Sequence, residues 1–169
     1  MVDVAFGGDG AVKPLPLIDG HITQNIGTQQ LRLVYDNIEQ QFDKKQKFWI
    51  YQYRNNPNLP WNSFYHFSET EFIKEDFGVM SYYTSTNTES FLLYATIVVK
   101  FLRKDNEISG KVMLANHEVK QNTGGRTRVI KTCKTEQDRI DALKEYFGIT
   151  LTADEQRGIR GLPSELSQD

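Results

Sequence analysis

Apolar positions along this chain alternate with polar ones or gather in short runs, and the pattern predicts strands more often than helices. Leu31-Arg32-Leu33-Val34-Tyr35 partly alternates. Phe48-Trp49-Ile50-Tyr51-Gln52-Tyr53 and Asn62-Ser63-Phe64-Tyr65-His66-Phe67 are aromatic runs. Between them stands Asn55-Asn56-Pro57-Asn58, whose backbone preferences favour a turn, so the two runs predict a hairpin. Residues 91–102 read as one long β-branched and aromatic strand. Lys104-Asp105-Asn106, Ala115-Asn116 and Thr123-Gly124-Gly125 then mark turns into strands over 107–114, 117–122 and 126–132, an antiparallel meander. Pro14 and Pro16 keep the early stretch extended and restrict pairing there.

Helices are fewer. Ser68-Glu69-Thr70-Glu71 has the capping-box pattern and predicts a helical connector over about 68–80. Thr135-Glu136-Gln137-Asp138 is a similar start with the shorter Asp. After it Ile140, Leu143, Tyr146 and Phe147 share a face at helical spacing, and Gly148 suits a C-cap. Thr152-Ala153-Asp154-Glu155 opens a short helix limited by Gly158, Gly161 and Pro163, and the polar tail 164–169 is expected to fray.

Composition narrows the class. With 169 residues, 38% of them hydrophobic, the chain suits one ordinary domain or two small ones. Eight Tyr, ten Phe and two Trp supply rings for a core or a ring-accepting pocket. A net charge of -2 argues against a dedicated nucleic-acid binder. The single cysteine, Cys133, rules out a disulfide within the chain and fits a reducing compartment. No apolar run is long enough to span a bilayer, and no secretory signal opens the sequence, so a cytoplasmic protein without a membrane partner is expected.

Candidate chemistry is sparse. Asp3 reads as a carboxylate at a strand end, before Ala5-Phe6-Gly7-Gly8, a turn that lets backbone approach a ligand. By itself such a residue is more often a strand-end acid ahead of a glycine turn. Cys133 lacks an identifiable base, and His21, His66 and His117 have no metal-ligand spacing. Gly7-Gly8-Asp9-Gly10 lacks the Lys and Ser/Thr of a phosphate loop. The segment 80–91 reads as a hydroxyl-rich loop able to donate to phosphate or carbonyl oxygens, or as an ordinary polar connector.

In this order the pieces resemble the arylamine N-acetyltransferase family. Val2-Asp3-Val4-Ala5-Phe6-Gly7-Gly8 is close to the family's V-D-V-G-F-G-G and is followed by Pro14-Leu15-Pro16-Leu17. Phe77-Gly78-Val79-Met80-Ser81-Tyr82-Tyr83-Thr84-Ser85, with Ser90-Phe91, resembles the helix ending in V-M-N-x-Y-x-S. Tyr146-Phe147-Gly148-Ile149-Thr150-Leu151 resembles the closing F-G-I-x-L. The wording of Trp49-Ile50-Tyr51-Gln52-Tyr53-Arg54 and Trp61-Asn62-Ser63-Phe64 is most similar to fungal members.

The resemblance implies an α+β fold in the cysteine-proteinase-like arrangement. An antiparallel β-barrel portion (1–67) would lead through a helical connector and loop (68–90) to an antiparallel sheet with a C-terminal helix (91–163) and a flexible tail (164–169). It implies acetyl transfer from acetyl-CoA, or malonyl transfer from malonyl-CoA, to the nitrogen of arylamines through a Cys-His-Asp triad, as in xenobiotic metabolism, with no tightly bound cofactor and no metal. Asp3 matches the triad Asp. Phe6, Gly7 and Gly8 match the acceptor site, and Tyr83, Thr86 and Ser90 fall where relatives contact CoA. The family's nucleophile lies in R-G-G-x-C-F-E upstream of the Asp, with the His between. No His here precedes Asp3, Cys133 stands in no such segment, and Ala5 replaces a Gly. The expectation is therefore a C-terminal portion, without the N-terminal helical domain, that is inactive alone. A non-catalytic module that binds CoA or an aromatic ligand is the alternative.

Overall fold

A computed structural model describes residues 1–3 and 10–167. They form two four-stranded antiparallel sheets and three α-helices. The strands are β1 (Ile22–Gln24), β2 (Gln30–Asp36), β3 (Phe48–Arg54), β4 (Asn62–Phe67), β5 (Ile97–Lys104), β6 (Glu107–Ala115), β7 (Glu118–Asn122) and β8 (Thr127–Thr132). The helices are α1 (Lys74–Thr86), α2 (Glu136–Ala142) and α3 (Ala153–Arg157). Both sheets run in chain order, β1-β2-β3-β4 and β5-β6-β7-β8. The expected barrel portion is corrected: no closed barrel is found among the described residues, and each sheet is an open meander. No described helix is long and apolar enough to cross a membrane.

The chain divides into two compact units. The first comprises Met1–Thr70, Phe101–Gly110 and Asn122–Thr127. Its core is one face of the β1–β4 sheet, where Leu31, Leu33, Trp49 and Tyr51 are buried with Leu15, and Tyr53, Tyr65 and Phe67 pack against them. The register Leu33↔Tyr51 and Tyr51↔Tyr65 brings these side chains to the same side. An irregularity after Tyr51 pairs Gln52 with Ser63, so Phe64 is the extra residue and is exposed. The β7–β8 turn belongs to this unit. A Cβ on Gly27 (φ +57) would stand 2.1 Å from the Cα of Gly124, so two backbones meet there with no room for a side chain.

The second unit comprises Glu71–Lys100, Lys111–Gln121 and Arg128–Asp169, with Val112, Leu114, Val119, Cys133, Ala142 and Leu143 buried. Helix α2 starts as its sequence predicts. The Thr135 hydroxyl accepts from the Asp138 N–H at 3.1 Å, and the Asp138 carboxylate accepts from the Thr135 and Lys134 N–H groups. It continues as a π-turn over Leu143–Phe147 and ends on Gly148 at φ 73. Helix α3 is capped by Thr152 and Glu155 in the same way.

Other expectations change. The connecting helix does not start at Ser68. Glu69 accepts instead from the indole N–H of the buried Trp49 at 2.9 Å, and helix α1 opens where Asp76 accepts from the Ile73 N–H at 2.9 Å. The predicted loop after Met80 is largely helical, because α1 runs to Thr86. The predicted strand over 91–102 begins only at Ile97, since Phe91–Leu93 form a 3₁₀ turn in which Leu93 donates to the Ser90 carbonyl. A short apolar run fits either shape until its partners are known. Strand β1 was not anticipated: Ile22–Gln24 is three residues long and mostly polar, and its pairing with β2 makes it a strand. The tail is tied down as far as it is described. Ser167 accepts from the Glu136 N–H at 3.1 Å, and Leu166 donates to the Glu136 carboxylate at 2.7 Å.

Candidate functional site

Asp3 lies on an extended entry segment bonded to residue 15. The Leu15 N–H donates to the Met1 carbonyl at 3.0 Å, and the Met1 amine donates back to the Leu15 carbonyl at 2.5 Å. Leu15 is a buried member of the core, so this exchange anchors the segment to the first sheet. The Asp3 carboxylate is exposed and accepts from the Tyr65 hydroxyl at 3.2 Å. Tyr65 comes from β4 and its ring stacks on the buried Tyr51, with centroids 5.0 Å apart and planes 3° from parallel. Burial, then the Asp3 charge and the hydrogen bond to it, push the Tyr65 phenol well above its ordinary value. Tyr65 therefore remains a proton donor to Asp3 across the neutral range.

Phe6, Gly7 and Gly8 lie outside the described residues. On the far side of them the chain is held by Asn25. Its carboxamide oxygen accepts from the Val12 N–H at 3.0 Å, and its NH₂ donates to the Gly10 carbonyl at 3.2 Å and to Gln29 at 2.6 Å. A hollow of about 120 Å³ opens between residues 1–3 and 11–14, beside Asp3. Tyr65 and Asn25 were both missed from sequence. Tyr65 stands 62 residues from its carboxylate, and no local pattern joins them.

Tyr83, Thr86 and Ser90 belong to the second unit, and Asp3 to the first. Tyr83 is half exposed on α1. The hydroxyls around it turn inward on the helix: Thr84 donates to the Met80 carbonyl at 3.1 Å, Ser85 to Ser81 at 2.6 Å and Thr86 to Tyr82 at 2.5 Å. Ser90 is buried and donates to the Thr84 carbonyl at 2.8 Å. Helix α1 itself buries no residue, and Phe77, Val79, Met80 and Tyr82 are exposed along it.

Cys133 and His66 sit in packing contacts. Cys133 is 2% exposed, its N–H donates to the His117 carbonyl at 2.7 Å, and burial pushes its thiol pKa up, the reverse of an activated nucleophile. His66 meets Phe48 edge to face at 5.3 Å. Among the described residues no group of three or more His, Cys, Asp or Glu could hold a metal ion.

A family model described as N-acetyltransferase matches residues 1–156. An N-malonyltransferase of Fusarium pseudograminearum is 33% identical over 169 residues, covering 94% of this chain and 49% of that protein. One from Gibberella moniliformis is 34% identical over 167 residues, covering 94% and 48%. The chain thus spans about half the length of the curated relatives it matches. Among solved structures, the arylamine N-acetyltransferase of Salmonella typhimurium aligns with a TM-score of 0.70 at 20% identity, over 93% of this chain and 54% of that one. The Mycobacterium marinum arylamine N-acetyltransferase in complex with CoA aligns with a TM-score of 0.66 at 21% identity, over 85% and 46%. These structural likenesses bear on the fold.

Proposed function

Since the chain belongs to the arylamine N-acetyltransferase family, we propose that Asp3 is the orienting carboxylate of a Cys-His-Asp acyltransfer triad. The match over residues 1–156 carries this reading, because it includes Asp3 in the segment that resembles the family's most specific motif. In such a triad the histidine takes the thiol proton, and the thiolate attacks the thioester carbonyl of an acyl-CoA. The carbon–sulfur bond to CoA breaks, and an arylamine nitrogen then takes the acyl group from the cysteine. The carboxylate holds the histidine tautomer and favours its charged form. The Tyr65 hydroxyl, 3.2 Å from Asp3, would fix the carboxylate for that task.

The donor would be acetyl-CoA or malonyl-CoA. Malonyl transfer is favoured by the fungal relatives named as N-malonyltransferases. Phe6, Gly7 and Gly8 would line the acceptor site. Of the residues proposed to meet CoA, Tyr83 is open to a ligand, whereas Thr86 and Ser90 would first release their carbonyl partners. In this reading residues 1–67 supply part of the catalytic β domain, 68–90 the connector and 91–163 the closing sheet and helix.

The polypeptide Met1–Asp169 supplies the carboxylate but not the family's cysteine segment, and Cys133 is buried with a raised pKa. We propose that by itself it transfers no acyl group. The test is release of CoA from acetyl-CoA or malonyl-CoA in the presence of an arylamine. None is expected from the purified chain. Acylation by that chain, abolished by Asp3→Asn, would overturn the proposal.

A further inference from the structure

We propose that Arg32 and Arg54, backed by Trp61, form a binding site for a phosphate group on the face of the first sheet opposite its core. The register puts Arg32 directly across from Gln52, and Gln30 across from Arg54, so the two arginines are diagonal neighbours on adjacent strands. Their guanidinium carbons lie 4.2 and 4.4 Å from the centre of the Trp61 ring. Trp61 is delivered there by the turn that precedes β4.

Both forks are held in place by neutral partners. Arg32 Nε donates to Gln52 at 2.8 Å, and Gln52 donates in turn to the Ser63 hydroxyl at 3.0 Å. Arg54 donates through Nε and Nη2 to Gln30 at 2.9 and 2.7 Å. Both Nη groups of Arg32 and the Nη1 group of Arg54 meet no acceptor among the described residues, and neither arginine forms an ion pair with a described carboxylate. Asp19 is the acid whose charge reaches Arg32, and its carboxylate accepts from the Tyr35 N–H at 2.9 Å.

The arrangement is costly without a ligand. Two like charges sit near one another, half-buried against an indole, and burial and the Arg54 charge lower the Arg32 pKa. An anion bound at their open Nη groups would turn that repulsion into attraction. A carboxylate has two oxygens and fills one fork. A phosphate dianion has a third acceptor oxygen and a second charge, which suits two forks presented together.

The test is a titration of the whole polypeptide with sodium phosphate at constant ionic strength, followed by calorimetry and by tryptophan fluorescence. Saturable binding is expected, with a fluorescence change that vanishes in Trp61→Phe. The Arg32→Gln/Arg54→Gln variant should weaken binding by about tenfold or more, and Arg32→Lys/Arg54→Lys should fall between. Phosphate should also raise the Tm of the unaltered chain above that in matched chloride, which needs no variant to fold. No saturable binding, or binding indifferent to both double variants, would overturn the proposal. Competition by CoA and not by dephospho-CoA would identify the 3′-phosphate of CoA as the source, and competition by neither would identify free phosphate. The phosphate arm involves no acyl donor, so it stands or falls apart from the acyltransfer assay.

Discussion

The hydroxyl of Tyr65 donates to the carboxylate of Asp3 at 3.2 Å, joining the middle of strand β4 to the entry segment of the chain. The stack of Tyr65 on Tyr51 aims that hydroxyl, so the orientation of Asp3 is inherited from the core of the first sheet. Tyr65→Phe keeps the stack and removes the hydrogen bond. It should cost about 1 kcal/mol in stability, measured by urea unfolding. In a longer protein that carries the cysteine and histidine, it should lower kcat more than it raises KM.

The same pair sets an alkaline limit. The folded pKa of Tyr65 is raised, so the unfolded chain gives up its proton first. The contribution to stability is full below the ordinary tyrosine pKa of 10.0 and is lost as pH rises above it. Tm should therefore fall above about pH 10 by more in the unaltered chain than in Tyr65→Phe. Tyrosinate absorbance should lose a late-ionising phenol in Tyr65→Phe.

Gly27→Ala should be among the most damaging small substitutions in the first unit. The new Cβ would meet the Gly124 backbone at 2.1 Å, and φ there is +57. A loss of about 3 kcal/mol or more is expected. Gly20→Ala has a similar φ of +69 but open space around it, and should lose only about 1 kcal/mol. Thermal unfolding of the two variants separates crowding from backbone strain.

Arg139 ties the C-terminal tail to helix α2. It pairs with Glu136 in the interior and donates to the carbonyls of Asn116 at 3.2 Å and Ser164 at 2.9 Å. Arg139→Ala leaves the Glu136 carboxylate buried without its partner and should cost about 3–5 kcal/mol. Replacing both residues by Met should cost less. Limited proteolysis should cut near residues 160–167 faster in Arg139→Ala than in the unaltered chain.

Cys133 should react with iodoacetamide only as the chain unfolds, because its thiol is buried and its pKa raised. Cys133→Ala should leave any acyl transfer by a longer protein unchanged. Loss of transfer in a variant that stays folded would assign the thiol a role that its burial argues against.

What could be read from sequence was local. The caps at Thr135, Thr152 and Gly148 each need only neighbours a few residues away, and they form as expected. The β5–β8 turns were readable for the same reason: Asp105, Asn106 and Asn116 tolerate the positive φ that their tight turns require. Most of the failures were tertiary. Ser68-Glu69-Thr70-Glu71 has the lettering of a helix start, but the Trp49 indole takes Glu69 from 20 residues away. One failure was local: residues 84–86 read as a hydroxyl-rich loop, but they continue helix α1 and their hydroxyls donate to carbonyls one turn back. Asp3 was singled out by a motif, and its proposed role rests on that motif. Its Tyr65 partner and the Arg32–Trp61–Arg54 cluster depend on strand register, which pattern alone does not supply.

The meeting of Gly27 with Gly124 also bears on how the polypeptide is born. The first unit draws on residues as late as Thr127, with a long stretch of the second unit's chain emerging in between. Domains ordinarily fold in turn as they leave the ribosome. Here the Gly27–Gly124 contact can close only after the β7–β8 turn has emerged, whereas the core around Trp49 and Tyr51 draws on nothing later than Phe67.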